Sequence, residues 1–184
     1  MRITSGIYGS RTIDVPKSDS VRPTQDRVRE ALFSMLAQDV PGSRFLDLFA
    51  GSGAVGLEAI SRGAEFVTFV EADARHLKTI AKNIDTLKVD KARYSLARAN
   101  VYAWLQTFRG EPYSIIFADP PYALAKERGF KDVLDAIARQ GVLAPGGIFI
   151  AETDLSQAPE AVEGWELVRD RAYGKTRIAI YRRA

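Results

Sequence analysis

From Arg44 onward, short apolar runs alternate with segments of helical periodicity, and this rhythm limits the possible folds more than any other feature of the chain. The runs are RFLDLF, FVTFVE, ARYSLA, YSIIFADP and GGIFIAE. Helical patterns are predicted from about Ala54, through the 70s and 80s, near Val101 to Phe108, and near Glu127 to Arg139. Strands joined through helices pair in parallel, and near-continuous apolar strands are buried on both faces. The expectation is therefore an α/β fold with a mostly parallel sheet covered on both sides. The last twenty residues break the rhythm. WELVRDRAYGKTRIAIYRR reads as two strands joined at Gly174-Lys175 with no helix between them, so an antiparallel hairpin is expected to close the sheet.

Upstream, residues 2 to 15 read as two short strands around a turn near Gly9 and Ser10, followed by a loop from Pro16 to Pro23. A helix is expected next. Thr24 has the chemistry of an N-cap, Asp26 falls in the first turn, and Val28, Ala31, Leu32 and Met35 recur at helical spacing. Pro41-Gly42 ends this segment, which divides the chain into an N-terminal extension over 1–43 and an α/β domain over 44–184. With 184 residues, 46% of them hydrophobic, the chain can bury one sizeable core.

Composition excludes several kinds of chemistry. There is no cysteine, and His76 is the single histidine, so disulfides, thiolate metal sites and histidine clusters are ruled out and no metal is expected. The first residues lack the apolar stretch of a signal peptide, and no run approaches the roughly 20 apolar residues that span a bilayer. A soluble, cytoplasmic protein is expected, with no membrane partner. Charge is distributed unevenly. Residues 1 to 44 carry seven basic and five acidic side chains, residues 45 to 164 thirteen and sixteen, and residues 165 to 184 six and two. Basic ends around an acidic middle suggest that the ends meet an acidic polymer. The outward positions of the first helix would present Arg27 and Arg29 beside Arg22, and the closing strands add Lys175, Arg177, Arg182 and Arg183.

Two motifs fall at strand ends. Asp47-Leu48-Phe49-Ala50-Gly51-Ser52-Gly53-Ala54-Val55-Gly56 places a glycine-rich turn between a buried strand and a helix, where the backbone can approach a ligand closely. Twenty residues after Gly51 stands Glu71, placed to accept hydrogen bonds from ribose hydroxyls. This pairing fits a dinucleotide or S-adenosylmethionine. Asp47 favours the latter, because it can bond the ligand's amino-acid end but would repel a pyrophosphate. Asn100, after the third strand, can reach an adenine edge or cap a helix.

The second motif is Asp119-Pro120-Pro121-Tyr122, after the apolar strand ending at Ala118. Two prolines make a stiff turn that presents carbonyl oxygens and one carboxylate. If Asp119 and the Pro120 carbonyl each accept one N–H of an exocyclic base amine, its lone pair can turn toward an incoming methyl group. Tyr122 offers a stacking face worth on the order of 1–3 kcal/mol, and the base must be out of its stack to enter. The leading expectation is methyl transfer to an exocyclic amine of a nucleic-acid base.

Arg22-Pro23-Thr24, Asp26 to Glu30, Leu32-Phe33, DLFAGSGAVGLEAISRGA over 47 to 64, Glu71 and DPPY over 119 to 122 together resemble the bacterial RsmD family, the 16S ribosomal RNA guanine-N2 methyltransferases. The resemblance covers nearly the whole chain. It implies a Rossmann-like, class I S-adenosylmethionine-dependent methyltransferase with a seven-stranded sheet and a small N-terminal extension. The implied substrate is a guanine of 16S rRNA in the small ribosomal subunit or its assembly intermediate. By position, Asp47, Phe49, Ala50, Gly51, Ser52, Gly53 and Glu71 with Ala72 would hold S-adenosylmethionine, together with Asn100 and Val101, and Thr24 would lie near its methionine end. Asp119, Pro120, Pro121 and Tyr122 would hold the guanine amine. RNA contact would come from Arg11 in the hairpin, from Arg22, Arg27 and Arg29, and from Lys175 and Arg177. The hairpin Tyr8-Gly9-Ser10-Arg11 is less rich in arginine and glycine than is usual in the family. Adenine-N6 methylation is the alternative within the same chemistry. A nicotinamide-dependent oxidoreductase is the alternative outside it, and no catalytic Tyr/Lys or His/Asp set accompanies that reading.

Overall fold

The computed structural model describes residues 1–16, 23–121 and 129–184, with residues 23–25 described by their backbone alone. Seven strands form one sheet in the order β3-β2-β1-β4-β5-β7-β6. These are β1 (Arg44–Leu48), β2 (Phe66–Glu71), β3 (Tyr94–Arg98), β4 (Tyr113–Ala118), β5 (Leu143–Asp154), β6 (Trp165–Tyr173) and β7 (Thr176–Arg183). The first five pair in parallel, while β7 runs antiparallel to both β5 and β6. The parallel core and the closing hairpin expected from the sequence are both present, with the turn at Gly174-Lys175.

Helices α1 (Pro23–Met35), α2 (Ala54–Ser61), α3 (Ala74–Leu87), α4 (Val101–Gln106) and α5 (Lys131–Gln140) cover the two faces. Alternation along each strand separates two apolar layers. Phe45, Val67, Phe69 and Ile115 pack with Val28, Leu32, Leu57, Ile60, Ile80 and Ile84 from α1, α2 and α3. Leu46, Leu48, Val70 and Ile116 pack on the other face with Leu105, Val133, Leu134 and Ile137 from α4 and α5. Strands so enclosed explain why their sequences read as continuous apolar runs. Among the described residues, no helix is long and apolar enough to cross a membrane.

The N-terminal segment differs from the two strands expected. A single antiparallel bridge joins Arg2 and Thr12, and the chain between them is a turn docked on the end of α2. Ile3 N–H donates to the Arg11 carbonyl and Ile13 N–H to the Met1 carbonyl across the two arms, and further hydrogen bonds tie the segment to that helix. Ile7 N–H donates to the Ser61 carbonyl, Tyr8 N–H to Ser61 Oγ, and Thr4 and Ser5 N–H to the buried Glu58 carboxylate. Gly6 makes the close approach possible, since a Cβ there would stand 1.9 Å from the Ser61 carbonyl oxygen. The first helix begins at Pro23, so Thr24 lies inside its first turn and is not the residue that precedes it. A proline suits the first helical position because its missing N–H would have no partner there anyway. Glu127, where the last helix was expected to start, lies outside the described residues, and the described helix begins at Lys131.

Candidate active site

Each of four parallel strands carries one chemically active residue at or just past its carboxyl end, and the sheet brings these together. Asp47 lies near the end of β1, Glu71 ends β2, Asp119 follows β4, and Glu152 lies near the end of β5. All four line a cavity of about 680 Å³. Its walls also include Phe49, Ala50, Gly51 and Ser52 of the glycine loop, Ala72, Asn100, Val101, Pro120 and Pro121. Cavities of a few hundred to about 1,000 Å³ at this edge of an open α/β sheet are where ligands bind.

The glycine loop is tightly specified. Gly51 and Gly53 have φ of 53° and 76°, in the left-handed region that side chains disfavour. Phe49 also has φ 60°, a costly conformation for an aromatic residue, and its ring packs edge-on against Tyr102. Gly56 serves packing: a Cβ there would meet the Phe69 ring at 2.3 Å and Asp47 Oδ2 at 3.0 Å. The same Asp47 oxygen accepts the Gly56 N–H at 2.9 Å, which ties the strand end to the first turn of α2. Glu71 braces the loop from the other side. One oxygen accepts Gly51 N–H and the other Asp73 N–H, each at 2.8 Å, while His76 Nδ1 stands 3.7 Å away. Asn100 takes the capping role, its side chain accepting from Tyr102 and Ala103 N–H at the start of α4, while still facing the cavity.

The electrostatics of the cavity are acidic. Burial pushes the Asp47 carboxyl well above the usual carboxylate range against the Gly56 hydrogen bond, with Asp119 and Glu71 adding to the rise. Asp119 is exposed toward the cavity, yet the protein packed around it pushes its carboxyl up to about 7. Glu152 is raised by burial and by Asp119, and Arg29 opposes the rise. Three carboxyls of raised pKa around one space suit a cationic ligand, which would relieve their mutual repulsion. A cofactor carrying a sulfonium and an ammonium group fits this set of acceptors. Among the described residues, no group of three or more His, Asp and Glu side chains is placed to hold a metal ion.

One expected contact is corrected. Arg29 does not face outward: its side chain is 4% exposed, and its donors go to Glu58, Asp26, the Arg2 carbonyl and Met1 Sδ. A guanidinium beside the fully buried Glu58 is worth more inside than on the surface. Glu58 itself would be raised by burial, but Thr4, Arg62 and Arg29 hold it below its usual value. Arg27 does face solvent. Arg11 is exposed, and its guanidinium donates to the Thr86 and Leu87 carbonyls at the end of α3. Lys175 is exposed, whereas Arg177 is half-buried, donating to the Gln157 carbonyl and paired with Asp170. Arg22 and Tyr122 lie outside the described residues, as does the Thr24 side chain.

The sequence reading missed Glu152. It belongs to the run GGIFIAE and carries no motif around it, but its position at the end of a parallel strand was itself a signal.

A five-stranded parallel core closed by an antiparallel hairpin, with a glycine loop, an acid ending the second strand and Asp-Pro-Pro after the fourth, defines a Rossmann-like S-adenosylmethionine-dependent methyltransferase. Comparison with known proteins makes the assignment narrower. Residues 1–182 match the family described as "Conserved hypothetical protein 95". "Ribosomal RNA small subunit methyltransferase D" of Escherichia coli (strain K12) is 36% identical over 185 residues, covering 100% of this chain and 90% of that protein. Its counterpart in Haemophilus influenzae is 31% identical, covering 98% and 93%. The solved structure of the yhhF protein of Escherichia coli matches with a TM-score of 0.88 at 32% identity, covering 100% of this chain and 97% of that one. The chain belongs to this family, the RsmD family.

Proposed function

We propose that this protein transfers a methyl group from S-adenosylmethionine to the N2 amine of a guanine in small-subunit ribosomal RNA. The observation that carries the reading is the placement of Asp119, Pro120 and Pro121 in the same cavity as the glycine loop and Glu71. The names of its relatives support ribosomal RNA of the small subunit as the substrate class. The bound cofactor supplies a methyl group on a positively charged sulfur. The rest falls to the chain. Glu71 and the loop from Phe49 to Gly53 hold the nucleoside end, and Asp47 faces the amino-acid end. Asp119 and the Pro120 carbonyl accept the two amine protons, turning the nitrogen lone pair away from the ring and toward the methyl group. Both carboxylate and carbonyl are acceptors, so the site recognises an amine and gives no purchase to a base carbonyl. Incubation with isotope-labelled methyl donor and unmodified small subunits, followed by nucleoside mass spectrometry, tests the reading. N2-methylguanosine is expected, and N6-methyladenosine or no label would overturn it.

A further inference from the structure

We propose that Glu152 is a specificity residue that accepts the N1–H of the target guanine beside Asp119, and so excludes bases whose N1 is a lone pair. The inference deepens the guanine-N2 reading and rests on it.

The placement comes from the sheet. In the β4–β5 pairing Ala118 is opposite Ala151, so Asp119 and Glu152 are the next residues along adjacent parallel strands, whose backbones lie about 4.8 Å apart. Both line the cavity. Among the described residues, no side-chain hydrogen bond or ion pair engages either carboxylate, although the other two cavity carboxylates are tied to backbone N–H groups. Asp47 already accepts from Gly56, and Glu71 from Gly51 and Asp73, each with acceptor capacity left for the cofactor. Arg29 lies in the same wall as Glu152 and is already committed to Glu58, Asp26 and Arg2. Two acceptor groups without partners therefore stand side by side where the base amine is to be held.

Guanine presents three adjacent donors along this edge, the two N2 protons and N1–H, so it requires three acceptors. Asp119 and the Pro120 carbonyl supply two, and Glu152 supplies the third. Adenine, with its N6 amine in the same place, turns the N1 lone pair toward Glu152, and two acceptors then face each other without a proton. A site built to satisfy a donor rejects analogues that lack it, because its own buried group is left unpaired. Burial raises the Asp119 carboxyl, and burial together with Asp119 raises Glu152, so donors that favour the ionised forms are stabilising there.

The test uses 2-aminopurine, which keeps the 2-amine of guanine but has a lone pair at N1. Small-subunit RNA carrying guanine or 2-aminopurine at the nucleotide that mass spectrometry identifies is reconstituted into subunits. Methyl transfer to each is then measured for wild type, Glu152→Gln and Glu152→Asp. Wild type is expected to prefer guanine. Glu152→Gln, whose amide can donate to N1, should narrow the guanine to 2-aminopurine ratio of kcat/KM by roughly ten- to a hundredfold, the discrimination a good base contact provides. Glu152→Asp, which keeps the carboxylate, should preserve most of the preference even if both rates fall. Cofactor affinity by calorimetry should fall by no more than a few-fold in Glu152→Gln, which removes one charge from the acidic set, and less in Glu152→Asp. Comparing ratios cancels the intrinsic difference between the two amines and any uniform loss from misfolding. An unchanged ratio in Glu152→Gln, with wild type still forming N2-methylguanosine, overturns the role of Glu152 and leaves the guanine-N2 reading intact. Failure of wild type to form N2-methylguanosine overturns both.

Discussion

In the proposed role Asp119 accepts an amine proton more strongly as a carboxylate than as a neutral carboxyl, and its carboxyl is pushed up to about 7 by the protein around it. Turnover should therefore rise with pH through the region of 7. Binding a cationic cofactor favours the ionised form, so the limb in kcat should lie at lower pH than the limb in kcat/KM. Stability runs the other way. An unfolded aspartate titrates near ~3.9, so between that value and 7 the folded chain holds more protons than the unfolded one, and stability falls as pH rises across the window. Asp119→Asn should remove this dependence, gaining stability over wild type at pH 8 but not at pH 4 when urea unfolding is compared at the two values. It should retain slow methyl transfer, whereas Asp119→Ala should lose transfer while binding the cofactor within a few-fold. Near wild-type turnover of the alanine variant would falsify the amine-holding role. For Glu71→Ala, loss of a charge-assisted acceptor should weaken cofactor binding by about 1.5–3 kcal/mol in calorimetry. An unchanged dissociation constant would reduce Glu71 to a brace for Gly51 and Asp73. At this scale the sequence was informative wherever a motif fixed a residue to a strand end. For Glu152 it offered only the position at a strand end, with no motif around it to separate that glutamate from a solvated one.

Among elements, the sheet and its helices follow from periodicity, and the N-terminal segment does not. The strands of the core are buried on both faces, so their apolar runs are long and unambiguous. Residues 1 to 16 are held by Ile3 and Ile13 in the core and by polar partners distant in sequence, and no local pattern reveals those partners. Glu58, fully buried, accepts from Thr4, Ser5, Arg29 and Arg62. Asn83 exchanges hydrogen bonds with the Asp14 backbone and donates to the Ser52 carbonyl in the glycine loop. The outward reading of Arg29 failed for the same reason: helical spacing says which residues share a face, but not that a buried glutamate waits on the neighbouring helix. Glu58→Ala should cost about 3–5 kcal/mol in denaturant unfolding, the usual effect of leaving a buried charge without its partner. It should also speed hydrogen exchange at Thr4, Ser5 and Ile7. If the effect were below about 1 kcal/mol, the network would be no more than a surface tether. Gly56→Ala tests the packing of α2 on β1 and β2. The added methyl would press on Phe69 and Asp47, so it should destabilise by about 1–3 kcal/mol and weaken cofactor binding through Asp47.

Across the whole molecule, the two edges of the sheet divide the basic residues that composition could only count. The cavity opens at the carboxyl ends of the parallel strands. Lys175 lies at this edge: its carbonyl accepts from Leu155 N–H just past the end of β5, and neighbouring Tyr173 donates to Met35 at the end of α1. Arg27 is exposed on that helix, whose Arg29 and Leu32 line the cavity. Arg182 and Arg183 stand at the opposite end of the hairpin, Arg182 opposite Ile148 near the start of the buried part of β5, and Arg11 is bound to the far end of α3. On the proposed function, a nucleotide turned into the cavity would place its flanking phosphates nearer the first group than the second. Removing one cation that neutralises a phosphate should lower the slope of log affinity against log salt by somewhat less than one unit. The double variant Arg27→Ala, Lys175→Ala is therefore expected to bind small subunits more weakly and with a slope reduced by somewhat less than two units, at normal cofactor affinity. Arg182→Ala, Arg183→Ala should leave the slope nearly as it was. Binding measured at several salt concentrations separates the edges. Equal reductions from the two pairs would mean that the RNA reaches both edges and that the cavity edge holds no privileged share of the phosphates.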